Sequence, residues 1–373
     1  MGAGASTPAD FSHKLRHGVI AKELDGGSLG EPSLAVIPQP GGAPLLALAY
    51  QVSSLPHQGS RDQYIAFTTS KDGGETWQPH RPVQWGLTPL WAPVLHWDAA
   101  GRRLALYYSE SRKAPSPGGD IRRIVSLDAG TTWSPPSLVW AHEAHEPVPK
   151  VTSSRPVLGT SGELFLAVHL EPQGAHAVFN KDTYSELGAE RAAVPCVTAP
   201  PGATPPSLLS AAAILVSRDG GDNWALASII DHPKTWLNQP ALEVLSDGTL
   251  VALFRSCMGQ VFRSVGTPDG SSWSKPGAVA LANPNSKLAS LLLDDQLLAV
   301  HNVGSKDRAS LTISLSLTAG RTWEEVVSLH KLPGGVISSP SIVAWSEDTV
   351  KVAYSVQGSG LRLTTAQLAV VQS

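Results

Sequence analysis

Two arginines, Arg255 and Arg308, have the residue type and the setting expected of an anion-binding site. Arg255 lies near the end of the apolar run LVALFRS, and Arg308 directly precedes the apolar run ASLTISLS. A guanidinium without a partner beside apolar strands would be unfavourable. Paired guanidinium groups bind carboxylates and sulfates through bidentate hydrogen bonds. The sequence therefore predicts recognition of an anionic ligand.

Further polar and aromatic side chains occur where other predicted strands begin or end, and such side chains suit a sugar. Taken singly, each of them is equally compatible with a solvated position at the rim of the fold. They are Arg155, Glu171, Gln239, Asn285, His301, Asn302 and Tyr354, together with Asp62 in a connecting loop.

Three repeated patterns would position these residues. A Ser-x-Asp-x-Gly-x-Thr-Trp string and its variants end at Trp77, Trp133, Trp224, Trp273 and Trp323. Its Ser and Asp side chains can accept backbone N–H groups in a hairpin, so the pattern predicts a structural turn with a non-catalytic Asp. Two short apolar runs precede these strings, and the first run of each pair follows a proline. The six prolines are Pro32, Pro93, Pro156, Pro240, Pro284 and Pro340.

The apolar runs are bounded by turn residues and are too short for helices, so they indicate strands. Each unit is predicted to contain strands A to D, with the Trp-ended hairpin between strands C and D. Units of this size with four strands are typical of propeller blades. The sequence therefore predicts an all-β, six-bladed β-propeller. In the sixth unit, residues 360–371 would form strand C, and an N-terminal strand around Val19 and Ile20 would close the ring.

This architecture predicts where a ligand would bind. Because the strands alternate in direction, the starts of the A and C strands and the ends of the B strands share one face, and the hairpins lie on the opposite face. A ligand is expected to bind on the first face, in a central cup lined by side chains from all six blades. The domain is expected to span residues 18–373, after a flexible tail of residues 1–17. Residues 187–213 are rich in Ala and Pro and predict an insertion loop.

The composition excludes several other classes. The net charge is −3 and no basic stripe is present, which argues against nucleic acid as a partner. No apolar run is long enough to span a bilayer. The histidines are scattered without a short-spaced ligand pair, so no metal is predicted, and nothing indicates another cofactor.

The N-terminus lacks the apolar core of a secretory signal, which predicts a cytoplasmic location. It also fits the pattern for N-myristoylation at Gly2. The two cysteines, Cys196 and Cys257, are expected to be free thiols in a reducing compartment.

With these units and hairpins, the chain resembles the sialidase (neuraminidase) superfamily over residues 28–368. That superfamily carries Asp-box hairpins between strands C and D of a six-bladed propeller. The chain looks most similar to the predicted-sialidase BNR-repeat branch, whose QPS, NPNSG and YSYP strings read here as QPA, NPNSK and SSP. These strings occupy residues 239–241, 283–287 and 338–340.

The resemblance implies a glycoside hydrolase of the exo-α-sialidase type that acts on terminal acidic sugars. Such an enzyme uses three arginines, a Tyr nucleophile activated by a Glu, and an Asp acid/base. Arg255 and Arg308 match the second and third arginines, and Asp62 is the only carboxylate in the loop that would carry the acid/base. Gly30 replaces the first arginine.

The nucleophile pair is absent from its usual places, because Gln239 stands where the Glu is expected and Ile337 where the Tyr is expected. Arg155 could replace the lost arginine, and Tyr354 or Glu171 the lost nucleophile. The remaining candidates, Gln239, Asn285, His301 and Asn302, would contact the substrate.

Two alternatives remain open from the sequence. One is a non-catalytic propeller that binds a glycan or a protein. The other is a polysaccharide lyase or another glycosidase that uses the same cup, with a Tyr or His as base.

Overall fold

The chain forms strands and turns throughout its described part. The computed structural model describes residues 13–23, 26–56, 58–112, 117–145, 147–171 and 211–368. Within these ranges there are 25 strands and no helix. The pairings between neighbouring strands are antiparallel. The prediction of an all-β fold is therefore confirmed.

Three four-stranded sheets are built from consecutive strands in chain order. The first contains β2 (Ser28–Ile37), β3 (Leu45–Ser53), β4 (Tyr64–Ser70) and β5 (Arg81–Gln84). The second contains β15 (Asn238–Val244), β16 (Leu250–Arg255), β17 (Gln260–Gly266) and β18 (Gly277–Ala282). The third contains β19 (Ala289–Leu293), β20 (Gln296–His301), β21 (Ser310–Ser316) and β22 (Glu324–Lys331).

A nine-stranded sheet holds two further runs of consecutive strands. The first run is β6 (Leu90–Asp98), β7 (Arg103–Ser111), β8 (Gly119–Ser126) and β9 (Ser137–Trp140). The second is β10 (Lys150–Thr152), β11 (Val157–Leu158), β12 (Leu164–Leu170), β13 (Ala212–Ser217) and β14 (Ala225–Ile230). The runs are joined by a single pair of residues, Lys150 with Gly119.

The last sheet unites the two ends of the described chain. Its order is β1 (His13–Ala21), β25 (Gly360–Leu368), β24 (Thr349–Val356) and β23 (Ile337–Ala344). β1 pairs with β25 from His13 opposite Leu368 to Ala21 opposite Leu361. The predicted N-terminal strand is therefore confirmed as part of this sheet.

Two predicted segment boundaries need correction. β1 begins at His13, so residues 13–17 belong to a sheet rather than to a flexible tail. The apolar β13 begins at Ala212, so the end of the predicted insertion is strand. The rest of both segments, residues 1–12 with Gly2 and residues 187–210, lies outside the described residues.

The hydrophobic core is divided into clusters between successive sheets. In one of them, Ile313 of β21 packs with Val352 and Tyr354 of β24. In another, Phe165 of β12 packs with Phe254 of β16. The first strands of the sheets also touch in chain order, and β2 contacts both β6 and β23. These strands therefore lie side by side.

Four of the six repeated prolines, Pro32, Pro93, Pro240 and Pro340, lie inside the first strands rather than at their starts, because each follows a bulge. The residues before these four, Glu31, Ala92, Gln239 and Ser339, have positive φ values of 49°, 48°, 44° and 54°. The strand register shifts at the same places. A bulge leaves a residue outside the ladder, which accommodates a proline that has no N–H. A residue before proline normally avoids such a conformation, so the bulges store strain.

The Trp-ended hairpins are held by side-chain-to-backbone hydrogen bonds. In the first, Gly74 N–H donates to Ser70 Oγ at 2.7 Å and Thr76 N–H donates to Asp72 Oδ1 at 2.9 Å. Asp128 and Asp219 accept backbone N–H groups in the same way. Thr318, which replaces the Asp in the last copy, accepts the N–H of Thr322 at 2.9 Å. These contacts belong to a turn that stabilises itself.

These hairpins are expected to lose stability in acid. Hydrogen bonds from Thr132 hold the pKa of Asp128 at about 2, and similar bonds hold the pKa of Asp72 and Asp219 well below their usual range. A folded-state pKa below the unfolded value of about 3.9 gives stability that is present above pH 4 and lost as pH falls through the folded value. A variant with Asp72, Asp128 and Asp219 all replaced by Asn should therefore be less stable than the native chain, and by a larger margin at pH 6 than at pH 2.

The measurement is the urea midpoint of unfolding as a function of pH. The matched control is Asp231→Asn, at an exposed aspartate outside the hairpins. An equal difference between variant and native chain at both pH values would contradict the argument.

The prediction of two free thiols is wrong at Cys257, which is disulfide-bonded. Cys257 follows β16, and its Sγ lies 3.2 Å from the hydroxyl of Thr235. The prediction depended on the small number of cysteines, which says nothing about their distance in the fold. The other cysteine, Cys196, lies outside the described residues.

Candidate functional site

Arg255 ends β16, and two side-chain amides hold its guanidinium. Its Nε donates to Asn285 Oδ1 at 2.7 Å, and its Nη1 donates to Gln239 Oε1 at 2.8 Å. Gln239 and Asn285 both have positive φ, so each lies at a sharp bend of the backbone. Both amides are neutral, and their oxygens fix the orientation of the guanidinium. Such preorganisation favours a charged ligand over a neutral one.

Arg308 approaches the same place from the next sheet. Its Nη2 donates to the backbone carbonyl of Asn285. Asn285 therefore contacts both arginines, one through its side chain and one through its main chain. Four residues named from the sequence, Arg255, Arg308, Gln239 and Asn285, are thus connected by hydrogen bonds.

A buried ion pair lies beside this cluster. Lys287 Nζ donates to Glu31 Oε2 at 2.7 Å, and Ser339 Oγ donates to Glu31 Oε1 at 2.7 Å. Glu31 lies in β2, Ser339 in β23 and Lys287 in the loop before β19, and they are only 8%, 5% and 7% exposed in that order. Both carboxylate oxygens of Glu31 are therefore bonded to groups from other parts of the chain.

Electrostatics joins this ion pair to the arginine cluster. Burial alone would raise the pKa of Glu31, but Lys287, the hydrogen bond from Ser339 and the charge of Arg255 together lower it below its ordinary value. Glu31 is therefore ionised at neutral pH. Its interaction with Arg255 shows that the two groups share one electrostatic site.

Sequence reasoning did not select this ion pair as part of the site. Two signals could have indicated it. Lys287 replaces the glycine of the NPNSG string, and Glu31 adjoins Gly30, where an arginine was expected.

Two glutamine amides occupy the space over Gly30. A Cβ added at Gly30 would lie 2.6 Å from Gln58 Nε2 and 3.6 Å from Gln51 Nε2. Gln51 is buried, and its Oε1 accepts the N–H of Ala92 at 3.0 Å. A longer side chain in place of Gly30 would displace these amides, so they fill the position that the lost arginine would need.

Arg155 is committed to an ion pair elsewhere. Its Nη1 and Nη2 each lie 3.0 Å from one oxygen of Glu243, and Ser290 Oγ donates to the same carboxylate at 2.8 Å. The sequence interpretation of Arg155 as a replacement for the missing arginine does not describe this arrangement. Its guanidinium already has a carboxylate partner within the protein.

The two proposed substitutes for the nucleophile have partners other than the arginines. Tyr354 is 1% exposed within a core cluster, and its hydroxyl is 3.0 Å from Thr364 Oγ1. Glu171 follows β12, with Oε1 at 3.1 Å from His169 Nε2. The hydroxyl of Tyr354 is thus bonded to a neighbouring strand within the core.

His301 and Asn302 lie inside the β19–β22 sheet rather than at its surface. His301 Nε2 is 2.9 Å from Ser314 Oγ. The side-chain amide of Asn302 donates to the backbone carbonyls of Ser310 and Ile337 at 2.6 and 3.1 Å. These contacts fix the loop that carries Arg308 and the start of β23. The two residues therefore stabilise the backbone next to the site.

Asp62 is exposed on the turn between β3 and β4. Hydrogen bonds from Ser54 and Ser60 lower the pKa of its carboxyl below the ordinary value. In this arrangement the side chain carries a negative charge at neutral pH.

Two cavities lie between strands of successive sheets. The larger has a volume of about 430 Å³ and is lined by the first strands of these sheets. Arg155 lines both this cavity and a smaller one of about 40 Å³ that Lys287 also lines. Other residues that line the larger cavity are Leu34, His96, Glu243, Leu292 and Val343.

Two further features concern only the described part of the chain. No group of three or more His, Cys, Asp or Glu side chains is placed there to hold a metal ion. The same residues include no helix that could cross a membrane.

Comparison with known proteins identifies the family of this chain. The model of the BNR repeat-like domain family matches residues 45–352. The chain belongs to this BNR repeat-like family. The resemblance to the sialidase and BNR-repeat superfamily is thereby confirmed, since solved structures similar to this BNR-repeat protein include sialidases. A search of curated protein sequences finds no match to it.

Three solved structures illustrate the shared fold. A protein of unknown function from Dyadobacter fermentans DSM 18053 has a TM-score of 0.71 and 16% identity, covering 95% of this chain and 99% of its own. The Hadza microbial sialidase Hz136 has a TM-score of 0.69 and 18% identity, covering 91% and 66%. A Trypanosoma rangeli sialidase mutant with trans-sialidase activity has a TM-score of 0.65 and 12% identity, covering 91% and 54%. The BNR-repeat protein thus spans about two thirds and about half of these two sialidase chains.

Proposed function

We propose that the chain is a sialidase-superfamily glycoside hydrolase that acts on terminal acidic sugars. The observation that carries this proposal is the Arg255 guanidinium, held by Gln239 and Asn285 while Arg308 bonds to the same Asn285. Two oriented guanidinium groups match the carboxylate of an acidic sugar. The family match and the likeness to sialidases favour a glycoside hydrolase over other anion-binding proteins.

The proposal includes a closed ring of six blades. The runs β2–β5, β6–β9, β10–β14, β15–β18, β19–β22 and β23–β25 with β1 would each be one blade. Contacts between first strands in chain order, and between β2 and β23, support closure. A cavity lined by a residue from each of the six runs supports a common axis.

Each residue of the cup has a role in this proposal. Arg255 and Arg308 bind the sugar carboxylate, and the amides of Gln239 and Asn285 orient Arg255. Asp62 is the proposed proton donor to the leaving group. A bound anionic sugar near Asp62 would raise its pKa toward the range that proton transfer requires.

The test is release of 4-methylumbelliferone from its sialic acid and uronic acid glycosides. Native protein should release it from at least one of them. Arg255→Met should lower kcat/KM at least about 100-fold, because charge-assisted hydrogen bonds to the carboxylate are lost. Arg321→Met, at an exposed arginine of the last Trp-ended hairpin, is the matched control and should leave the rate unchanged. Release that is insensitive to Arg255→Met would refute the site.

A second function, binding of an acidic sugar without hydrolysis, is favoured by one observation. Ile337, at the position expected for the Tyr nucleophile, is 0% exposed and packs in the core. Calorimetry distinguishes the two functions. Heat of binding with free acidic sugars, together with no release from any glycoside, would indicate a binding protein.

A further inference from the structure

We propose that Glu31 is the nucleophile of this hydrolase, in place of the absent tyrosine. This inference rests on the proposed function, because it assigns a step of that reaction. It is carried by the position of the Glu31 carboxylate, which is bonded on both oxygens and lies within electrostatic reach of Arg255.

Stability alone is a weak reason for this arrangement. A buried ion pair is often no more stabilising than apolar residues of the same volume. Glu31 and Ser339 also both adopt positive φ before a proline, at 49° and 54°. Strained residues of this kind persist where the surrounding structure enforces them, and they cluster at functional sites. Here Glu31 and Ser339 come from different sheets, and Ser339 donates a hydrogen bond to the Glu31 carboxylate.

The ionised state of the Glu31 carboxylate fits the role of nucleophile. Lys287 and Ser339 keep Glu31 ionised, which suits an attacking or charge-stabilising group and not a proton donor. The positive charges of Lys287, Arg255 and Arg308 would also offset the repulsion between Glu31 and an anionic sugar. The charge of Arg255 acts directly on the Glu31 carboxylate.

The reaction would proceed in two steps. In the first, a carboxylate oxygen of Glu31 bonds to the anomeric carbon while the bond from that carbon to the aglycone oxygen breaks, and the aglycone leaves with the electron pair. In the second, water attacks the anomeric carbon, the bond to Glu31 breaks, and the proton of the water goes to solvent. The carboxylate is regenerated, as in retaining glycosidases.

The decisive experiment compares native protein with Glu31→Gln and Glu31→Ala on the 4-methylumbelliferyl glycosides. This leaving group is a weak enough base to depart without a proton donor, so the assay isolates the nucleophile. Each variant should be at least about 1000-fold slower while still binding the free acidic sugar in calorimetry. Added azide should partly restore release by Glu31→Ala and form a glycosyl azide. The matched control is Glu75→Gln, at an exposed glutamate of the first hairpin.

A second measurement does not depend on any variant folding. Native protein is incubated with a fluorinated acidic sugar that slows the second step, and the labelled peptide is identified by mass spectrometry. A label on Glu31 supports the proposal. A label on another residue, or variants within 10-fold of native activity, would overturn it while leaving the hydrolase function intact. No release by native protein would instead overturn the proposed function itself.

Discussion

Replacing Arg155 with methionine is expected to lower the free energy of unfolding by about 3–5 kcal/mol. The reason is the carboxylate of its partner, Glu243, which remains in the protein. Glu243 has only 4% of its side chain exposed, and apart from Arg155 its carboxylate accepts a hydrogen bond from Ser290. Without the guanidinium, a desolvated carboxylate would be left with one neutral donor. The measurement is the urea unfolding curve of each protein under the same conditions.

Replacement of the partner residue, Glu243, serves as the matched comparison. Arg155 keeps 29% of its side chain exposed and lines the larger cavity, so Glu243→Met leaves a charge that water can still reach. We expect Glu243→Met to be less destabilising than Arg155→Met, and the double variant to recover most of the loss. Additive losses in the double variant would show that the pair is not coupled.

Gly360→Ala is expected to destabilise the protein by about 2–5 kcal/mol. Gly360 begins β25 with φ of +95°, and an added Cβ would lie 2.2 Å from the backbone carbonyl oxygen of Ala21. That oxygen belongs to β1 and cannot rotate away as a flexible side chain would. The methyl group would therefore push β1 out of its pairing with β25. Thermal unfolding and hydrogen exchange of the β1 amides measure the effect.

A variant at Gly358, in the same turn, separates the effect of the steric clash from the effect of the left-handed backbone conformation. Its φ is +73°, and an added Cβ would meet nothing within 4 Å. Gly358→Ala should therefore show only the left-handed backbone penalty of about 1–2 kcal/mol. If the two variants were equally destabilised, the contact with Ala21 would be irrelevant and the argument wrong.

Much of the fold could be predicted because its determinants are local and repeated. The apolar runs, the turn residues and the Trp-ended hairpins each recur, and the structure places strands such as β3, β7 and β24 on the predicted runs. The bulges before the prolines could not be predicted in this way. They place Gln239 against Arg255 of the next strand. They also bring Glu31 and Ser339 together from different sheets, and one strand's sequence does not encode such partners.

The candidate site was only partly predictable for the same reason. Arg255 ends one recognisable strand and Arg308 precedes another, so their positions could be predicted from the repeat alone. Whether a polar side chain faces the cup or the interior depends on packing between sheets. Tyr354, which lies in a core cluster, and Arg155, which pairs with Glu243, illustrate this dependence. The pair of Glu31 and Lys287 joins residues 256 positions apart, so the local signals at each residue do not show that the two are partners.

The sheet that unites β1 with β25 has a consequence for protein synthesis. β1 is synthesised well before residues 360–368, which form its only strand partner among the described residues. At ordinary translation rates the interval between them is roughly 20–70 s. During this time the backbone groups of β1 that pair with β25 in the finished fold have no strand partner. The pairing can therefore form only after residues 360–368 have been synthesised, and a nascent chain that stops short of Gly360 would keep an open strand edge that favours aggregation.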